Sequence, residues 1–268
     1  MNLVKAHAFG NDFLLLREAD LSPGADRPAL ARELCERHRG IGADGVITFT
    51  EDANGAAMNL LNADGSYSEV SGNGVRCLAA WLATNRVLSP GQAVDIHTDA
   101  GSKRLEFLAR DARRLTFRAA MGQPEQLQRR SLDVDGRLVD AVTMRVGNPQ
   151  CVVLGDVNVE RLQSIAARLA VHPAFPEGSN VELAHVEAPD RVRILIWERG
   201  VGPTEASGTG ACAAAVAAIA YGGAARDLEV VAPGGAQRVE WTAAGLFLTG
   251  WAEVLFEASF EPQSSRKP

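Results

Sequence analysis

The sequence has no Cys-x-x-Cys pair, no basic stripe and no apolar run long enough to cross a bilayer. Its cysteines, Cys35, Cys77, Cys151 and Cys212, lie far apart along 268 residues. That spread argues against a disulfide framework and for reduced, buried thiols in a cytoplasmic protein. A net charge of -6 and a pI near 5.5 argue against a nucleic-acid or anionic-membrane partner. The most apolar run, 211–221, is Ala-rich, ends in Gly222-Gly223 and reads as a buried helix. The opening Met1-Asn2-Leu3-Val4-Lys5 carries no apolar signal-peptide core. His7, His38, His97, His172 and His185 show no metal-ligand spacing, so no metal is expected. There is no Gly-x-x-x-x-Gly-Lys, which leaves the Gly-rich segments without a nucleotide-phosphate signature.

What is present is a long-period repeat. Glu69-Val70-Ser71-Gly72-Asn73-Gly74 returns as Glu205-Ala206-Ser207-Gly208-Thr209-Gly210. Gly10-Asn11 returns as Gly147-Asn148, and 101–107 returns as 235–241. The matches keep their order at nearly one offset, which is the mark of a duplicated unit. The expected division is 1–117, rejoined by a last strand at about 252–262, and 118–251.

Alternating apolar and β-branched residues predict strands at 2–7, 13–17, 46–50, 57–61, 94–97, 104–108 and 114–118. The second half repeats them at 139–146, 151–154, 181–186, 192–197, 228–231, 237–241 and 252–256. Helices are predicted at 28–38, 73–85, 159–169 and 209–221. Those at 73–85 and 209–221 are apolar nearly all round, so each should be enclosed on every side. Strands outnumber helices. The expected class is α+β, two tandem pseudo-symmetric domains, each a curved sheet or open barrel around a central helix.

A Gly-rich turn that opens a helix presents unpaired N–H groups and a partial positive charge, a setting for a carboxylate. Two such starts in equivalent places could grip one carboxylate, with Ser71 and Ser207 flanking the carbon beside it. The alternative, that both serines are plain N-caps, stays open at this point.

Several segments resemble the diaminopimelate epimerase family: Lys5-Ala6-His7-Ala8-Phe9-Gly10-Asn11-Asp12-Phe13, Gly40-Ile41-Gly42-Ala43-Asp44-Gly45, Asn62-Ala63-Asp64-Gly65-Ser66, Gly72-Asn73-Gly74-Val75-Arg76-Cys77, Gly147-Asn148-Pro149, Trp197-Glu198-Arg199-Gly200 and Gly208-Thr209-Gly210-Ala211-Cys212. They run in order across nearly the whole chain. The resemblance implies a cytoplasmic homodimeric isomerase of lysine and cell-wall precursor synthesis. It implies no pyridoxal or other cofactor, and a small-molecule amino-acid substrate. LL- and meso-2,6-diaminopimelate would be interconverted by two residues, one per half, acting as base and acid on opposite faces of the α-carbon. By resemblance the catalytic positions fall on Ser71 and Ser207, with Glu198 close by. Substrate contacts fall on Asn11, Asn62, Asn148, Asn180, Glu198 and Arg199, and the proximal carboxylate on the N–H groups of Gly72, Asn73, Gly208 and Thr209.

Two departures stand out. The family carries cysteine at both base positions, and an alcohol is far harder to ionise than a thiol. The family usually has histidine after Gly-Asn-Pro, where this chain has Gln150. Cysteines changed to serine by design and natural divergence both account for the serines. An impaired epimerase, a divergent racemase or lyase on another amino acid, and an inactive amino-acid-binding protein therefore all remain open.

Overall fold

The computed structural model describes residues 1–68 and 71–261. Glu69 and Val70 of the first repeated loop, and position 262 of the expected last strand, lie outside the described residues. The chain divides into two compact units, Met1–Ala119 with the chain from Trp251 on, and Ala120–Gly250.

The first unit begins β1 (Asn2–Ala8), β2 (Asn11–Arg17), a 3-10 turn (Glu18–Asp20), α1 (Arg27–Cys35), β3 (Gly45–Glu51) and β4 (Gly55–Asn62). It continues with β5 (Tyr67–Ser68), α2 (Gly72–Asn85), β6 (Ala93–Thr98), β7 (Gly101–Asp111) and β8 (Arg114–Gly122). The second holds β9 (Glu125–Val134), β10 (Arg137–Val146), β11 (Asn148–Leu154), α3 (Val159–Ala170), β12 (Asn180–Ala188), β13 (Arg191–Glu198), β14 (Gly202–Thr204), α4 (Gly208–Tyr221), β15 (Asp227–Ala232) and β16 (Gly235–Thr242). A long final strand, β17 (Gly245–Ser259), serves both.

In the first unit β1 pairs with β2 antiparallel, β2 with β3 parallel, β3 with β4 antiparallel, β4 with β6 parallel, and β6 with β7 and β7 with β8 antiparallel. β17 joins β8 and β1 and closes an eight-stranded barrel. The second unit runs the same sequence of pairings: β10–β11 antiparallel, β11–β12 parallel, β12–β13 antiparallel, β13–β15 parallel, β15–β16 and β16–β17 antiparallel. A parallel pair needs a crossover, and every parallel pair here is bridged by one of the four helices.

The helices divide by their faces. α3 buries Leu162, Ala166, Leu169 and Ala170, one stripe against the outside of its sheet. α4 buries every position from Gly210 to Ala218 inside the strands of its unit. α2 is enclosed from Asn73 to Ala83 and packs on β1, β2, β4, β6 and β7. A barrel this small leaves little radius for its axial helix, so α4 uses Ala213 to Ala218 almost without larger side chains. Alanine is also the best helix former, which holds a helix that has no polar face.

The short strands β5 and β14 and the longer β9 escape the sequence pattern, and β17 is longer than predicted. β9 buries only Leu132 and Val134 of its ten residues, so its charged, exposed run gives no alternation to read. β17 runs unbroken from Gly245 through Gly250, where the alternation predicts a strand only at 252–256. Its interior glycine is tolerated because the strand is paired along both parts of its length.

The tight fit of α4 yields an expectation. Ala214→Leu should lower stability by about 1–3 kcal/mol through overpacking. Urea unfolding will show the drop in midpoint; an unchanged midpoint would mean the barrel has slack around its axis.

Candidate functional site

The two repeated loops become two helix starts of matching geometry. Ser71 caps α2 at φ -129, ψ 123, and its Oγ accepts the Gly74 N–H at 3.1 Å. Ser207 caps α4 at φ -138, ψ 128, and its Oγ accepts the Gly210 N–H at 3.2 Å. Both serines are thus real N-caps. Each cap takes one of the first four helix donors, and the N–H groups of Gly72 and Asn73, or Gly208 and Thr209, open the turn ahead of it. The capping role and a ligand-facing role are therefore compatible.

In the first unit the structure links three candidates or their neighbours in one network. Asn73 is buried, and its amide donates to Asn11 Oδ1 at 3.3 Å. Asn11 donates in turn to Asp44 Oδ2 at 2.8 Å, and Arg37 holds the other Asp44 oxygen at 2.8 Å. Arg76, buried within α2, donates to Asn73 Oδ1 and lies over the Phe9 ring at 5.5 Å. Asp12 pairs with Lys5, whose ammonium also donates to the Gly42 carbonyl. Burial works against the Asp12 charge, yet Lys5 and Arg37 hold its carboxyl below the usual carboxylate range. Asn62 sits apart, at the turn after β4, where its side chain donates to Ser66 Oγ at 2.9 Å.

In the second unit Asn148, Gln150, Asn180 and Glu198 lie at neighbouring ends of β11, β12 and β13. Gln150 stands beside Asn180 in the parallel pair, and Gln150 donates to Asn148 Oδ1. Asn180 Oδ1 accepts the Arg199 N–H at 2.9 Å. The Arg199 guanidinium is turned elsewhere: it is exposed and donates to the Glu177 carbonyl. Thr209 Oγ1 lies 3.5 Å from Ser207 Oγ. Glu205, the acid that precedes the serine in the repeated motif, is exposed.

The residue that sequence reasoning missed is Glu182. Val181 and Leu183 pack outward on α3, so Glu182 and Ala184 face α4. Glu182 is fully buried, and both carboxyl oxygens lack a hydrogen-bond partner. Burial first, and the neighbouring Glu198 charge second, push its carboxyl well above the usual range. It reaches the start of α4: a Cβ at Gly210 would sit 2.6 Å from Glu182 Oε1 and 3.2 Å from Ser207 Oγ. Glycine at 210 is what lets the carboxyl approach. Gln150 Oε1, on the neighbouring strand β11 opposite Asn180, is also buried and unpartnered. The sequence held a signal, a lone glutamate in an otherwise apolar strand, but alternation assigns such a residue to solvent.

Cys35, Cys77 and Cys151 supply no substitute thiolate. None of the four cysteines forms a disulfide, and all are buried. Burial pushes the Cys35 thiol up to about 12 and those of Cys77 and Cys151 further up. Two open depressions lie elsewhere. One of about 290 Å³ is lined by Arg130, Thr143, Pro149, Phe175 and Glu177, and it holds no candidate residue. Among the described residues no cluster of His, Cys, Asp or Glu could hold a metal, and no helix is long and apolar enough to cross a membrane.

Comparison with known proteins places this arrangement. The family description "Diaminopimelate epimerase" matches residues 3–127 and 142–255. A diaminopimelate epimerase of Desulforudis audaxviator is 38% identical over 97% of this chain and 99% of its own. One from Desulfitobacterium hafniense is 35% identical over 96% of this chain and 97% of its own. Among solved structures, a probable proline racemase from Agrobacterium radiobacter K84, with bound carbonate, superposes with a TM-score of 0.72 at 16% identity, covering 98% and 94% of the two chains. At that identity the likeness speaks for the fold alone.

The buried carboxyl makes stability depend on pH. Its folded value lies above its unfolded one, so the folded state holds the extra proton as pH rises past the ordinary glutamate range. The carboxyl therefore weighs on stability at neutral pH and not in acid. Glu182→Gln should raise the melting temperature at pH 7 by a few degrees, with the gain vanishing near pH 4. Calorimetric melts at both values check this; an equal shift at both would show that Glu182 is not held neutral.

Proposed function

This chain belongs to the diaminopimelate epimerase family and is an isomerase, and from that premise we propose that it interconverts LL- and meso-2,6-diaminopimelate by two-base proton transfer, slowed by serine at both base positions. The observation that carries the reading is the equivalence of Ser71 and Ser207, each capping the first turn of an enclosed helix with the same backbone and the same bond to the third residue on. In this reading the N–H groups of Gly72, Asn73, Gly208 and Thr209 bind the carboxylate next to the reacting carbon. As the α-proton leaves, negative charge spreads onto that carboxylate. Fixed donors at helix starts stabilise the growing charge without having to reorient.

Asn11, Asn62, Asn148, Asn180, Glu198 and Arg199 take the distal amino-acid end. Burying a zwitterion needs a partner for every charge. Glu198 serves an ammonium and Arg199 a carboxylate, provided its guanidinium leaves the Glu177 carbonyl. The product is a precursor for lysine and cell-wall synthesis, and the working form is a cytoplasmic homodimer. The tandem arrangement, 1–117 with about 252–262 against 118–251, descends from a duplicated unit that kept one helix start in each copy.

The serines set the rate. A thiol of pKa roughly 8.5 comes within reach of neutral pH at a helix start, and an alcohol does not. Ser71→Cys with Ser207→Cys should raise epimerase activity by several orders of magnitude, more than either change alone, because the two positions act as a unit. A coupled assay with LL- and meso-diaminopimelate on the four proteins tests it. A double variant that folds and binds substrate but stays inactive would overturn the assignment, and an unsaturated product would point to a lyase.

A further inference from the structure

The two helix starts match in backbone but not in what stands behind them. The Gly10-Asn11 and Gly147-Asn148 match sets Phe13 against Gln150. The parallel pairs Phe13–Gly45 and Gln150–Asn180 then set Gly45 against Asn180, and Ile47 against Glu182. The glycines on the helices give the same answer independently. A Cβ at Gly74 would meet Ile47 Cδ1 at 2.9 Å and Phe13 Cε1 at 3.6 Å, whereas one at Gly210 would meet Glu182 Oε1. Behind Ser71 the wall is hydrocarbon. Behind Ser207 it is an unpartnered buried carboxyl. The position a Cβ would take at Gly210 is 2.6 Å from Glu182 Oε1 and 3.2 Å from Ser207 Oγ, so the two oxygens are no further apart than those lengths together; they are not hydrogen-bonded as they stand, and the relay needs them to close. Among the described residues, the first unit's carboxylates in this network, Asp12 and Asp44, are already held by Lys5 and Arg37.

We propose that Glu182, acting through the Ser207 hydroxyl, makes this chain a one-sided α-hydrogen exchanger: it removes and returns the α-proton of the bound amino acid on one stereoface far faster than it inverts the centre. The proposal rests on the substrate reading above. In the forward step the α-proton passes to Ser207 Oγ while the hydroxyl proton passes to the Glu182 carboxylate. The C–H electron pair stays on the substrate as a carbanion delocalised into its carboxylate. Ser207 ends as it began, and Glu182 ends neutral. Return along the same path restores the original configuration. A proton exchanged with solvent at Glu182 therefore reaches Cα with retention, since the described residues behind Ser71 offer no matching carboxyl.

Two ionisable groups act on Glu182, the Glu198 carboxylate from β13 and the Cys151 thiol from β11, while α4 presents its positive end. The forward step needs the carboxylate form. The exchange rate should therefore rise with pH through the raised Glu182 ionisation.

The experiment is α-hydrogen exchange in D₂O on the full chain, read by proton NMR, with configuration read by chiral chromatography and binding by calorimetry. Deuterium should enter Cα of a bound diaminopimelate stereoisomer at least about tenfold faster than the centre inverts. Glu182→Gln should lose exchange by about 100-fold, with a flat pH profile and unchanged binding and melting in acid. Glu182→Asp should recover part of the exchange, showing that the carboxyl acts as a proton carrier and not as a packing group. Inversion as fast as exchange, or full exchange in Glu182→Gln, overturns the proposal. Binding without any exchange overturns it alone, and absence of binding overturns the substrate reading and this inference with it.

Discussion

The structure depends on one constraint: in each unit a helix is enclosed on all sides by the sheet it crosses. A helix inside a narrow barrel can bury only small or well-fitted side chains, hence the alanines of α4 and the unbroken buried run of α2. Its backbone bonds are satisfied along the length but not at the first turn. The chain resolves this with serine caps and gathers its amide and carboxyl side chains at that end. The parallel pairs, the crossover helices and the location of the polar residues all follow from that enclosure.

The two polar ends are balanced differently. Around the start of α2, Asn11 pairs with Asn73 and Asp44, Arg37 with Asp44 and Lys5 with Asp12, while Trp81 Nε1 further along the helix is buried without a hydrogen-bond partner. Around α4 the carboxyl of Glu182 and the amide oxygen of Gln150 are buried without one. An unmade hydrogen bond in the interior costs about 1–3 kcal/mol. Such groups are rare in native proteins and concentrate where function opposes stability. The halves share a backbone plan, and their chemistry has separated at a few positions, with Ile47 and Glu182 the clearest.

Much of this was legible in the residues. The repeat marked two related units, and the uniform apolar character of 209–221 marked an enclosed helix. The serine-glycine turns marked where the orphan donors would be. What stayed hidden depended on tertiary placement. β9 is nearly all exposed, so it offers no period to detect. Glu182 alternates with Val181 and Leu183 as an outward residue would, and only the axial helix turns that second face into an interior. Arg199 follows Glu198 in sequence, yet its side chain leaves the cluster for the Glu177 carbonyl, because it falls just past the strand that directs Glu198.

The long last strand has a consequence for biosynthesis. Its first part pairs with β16 and its second with β1. The unit built from Ala120–Gly250 is continuous in sequence, while the other needs residues from Trp251 onward to join β8 to β1. As the chain emerges from a ribosome, the first unit made is the last that can close. Until its final segment arrives, β1 and β8 present open edges. The order of synthesis and the order of completion run opposite to each other, and the exposed interval lasts for the whole translation of the second half.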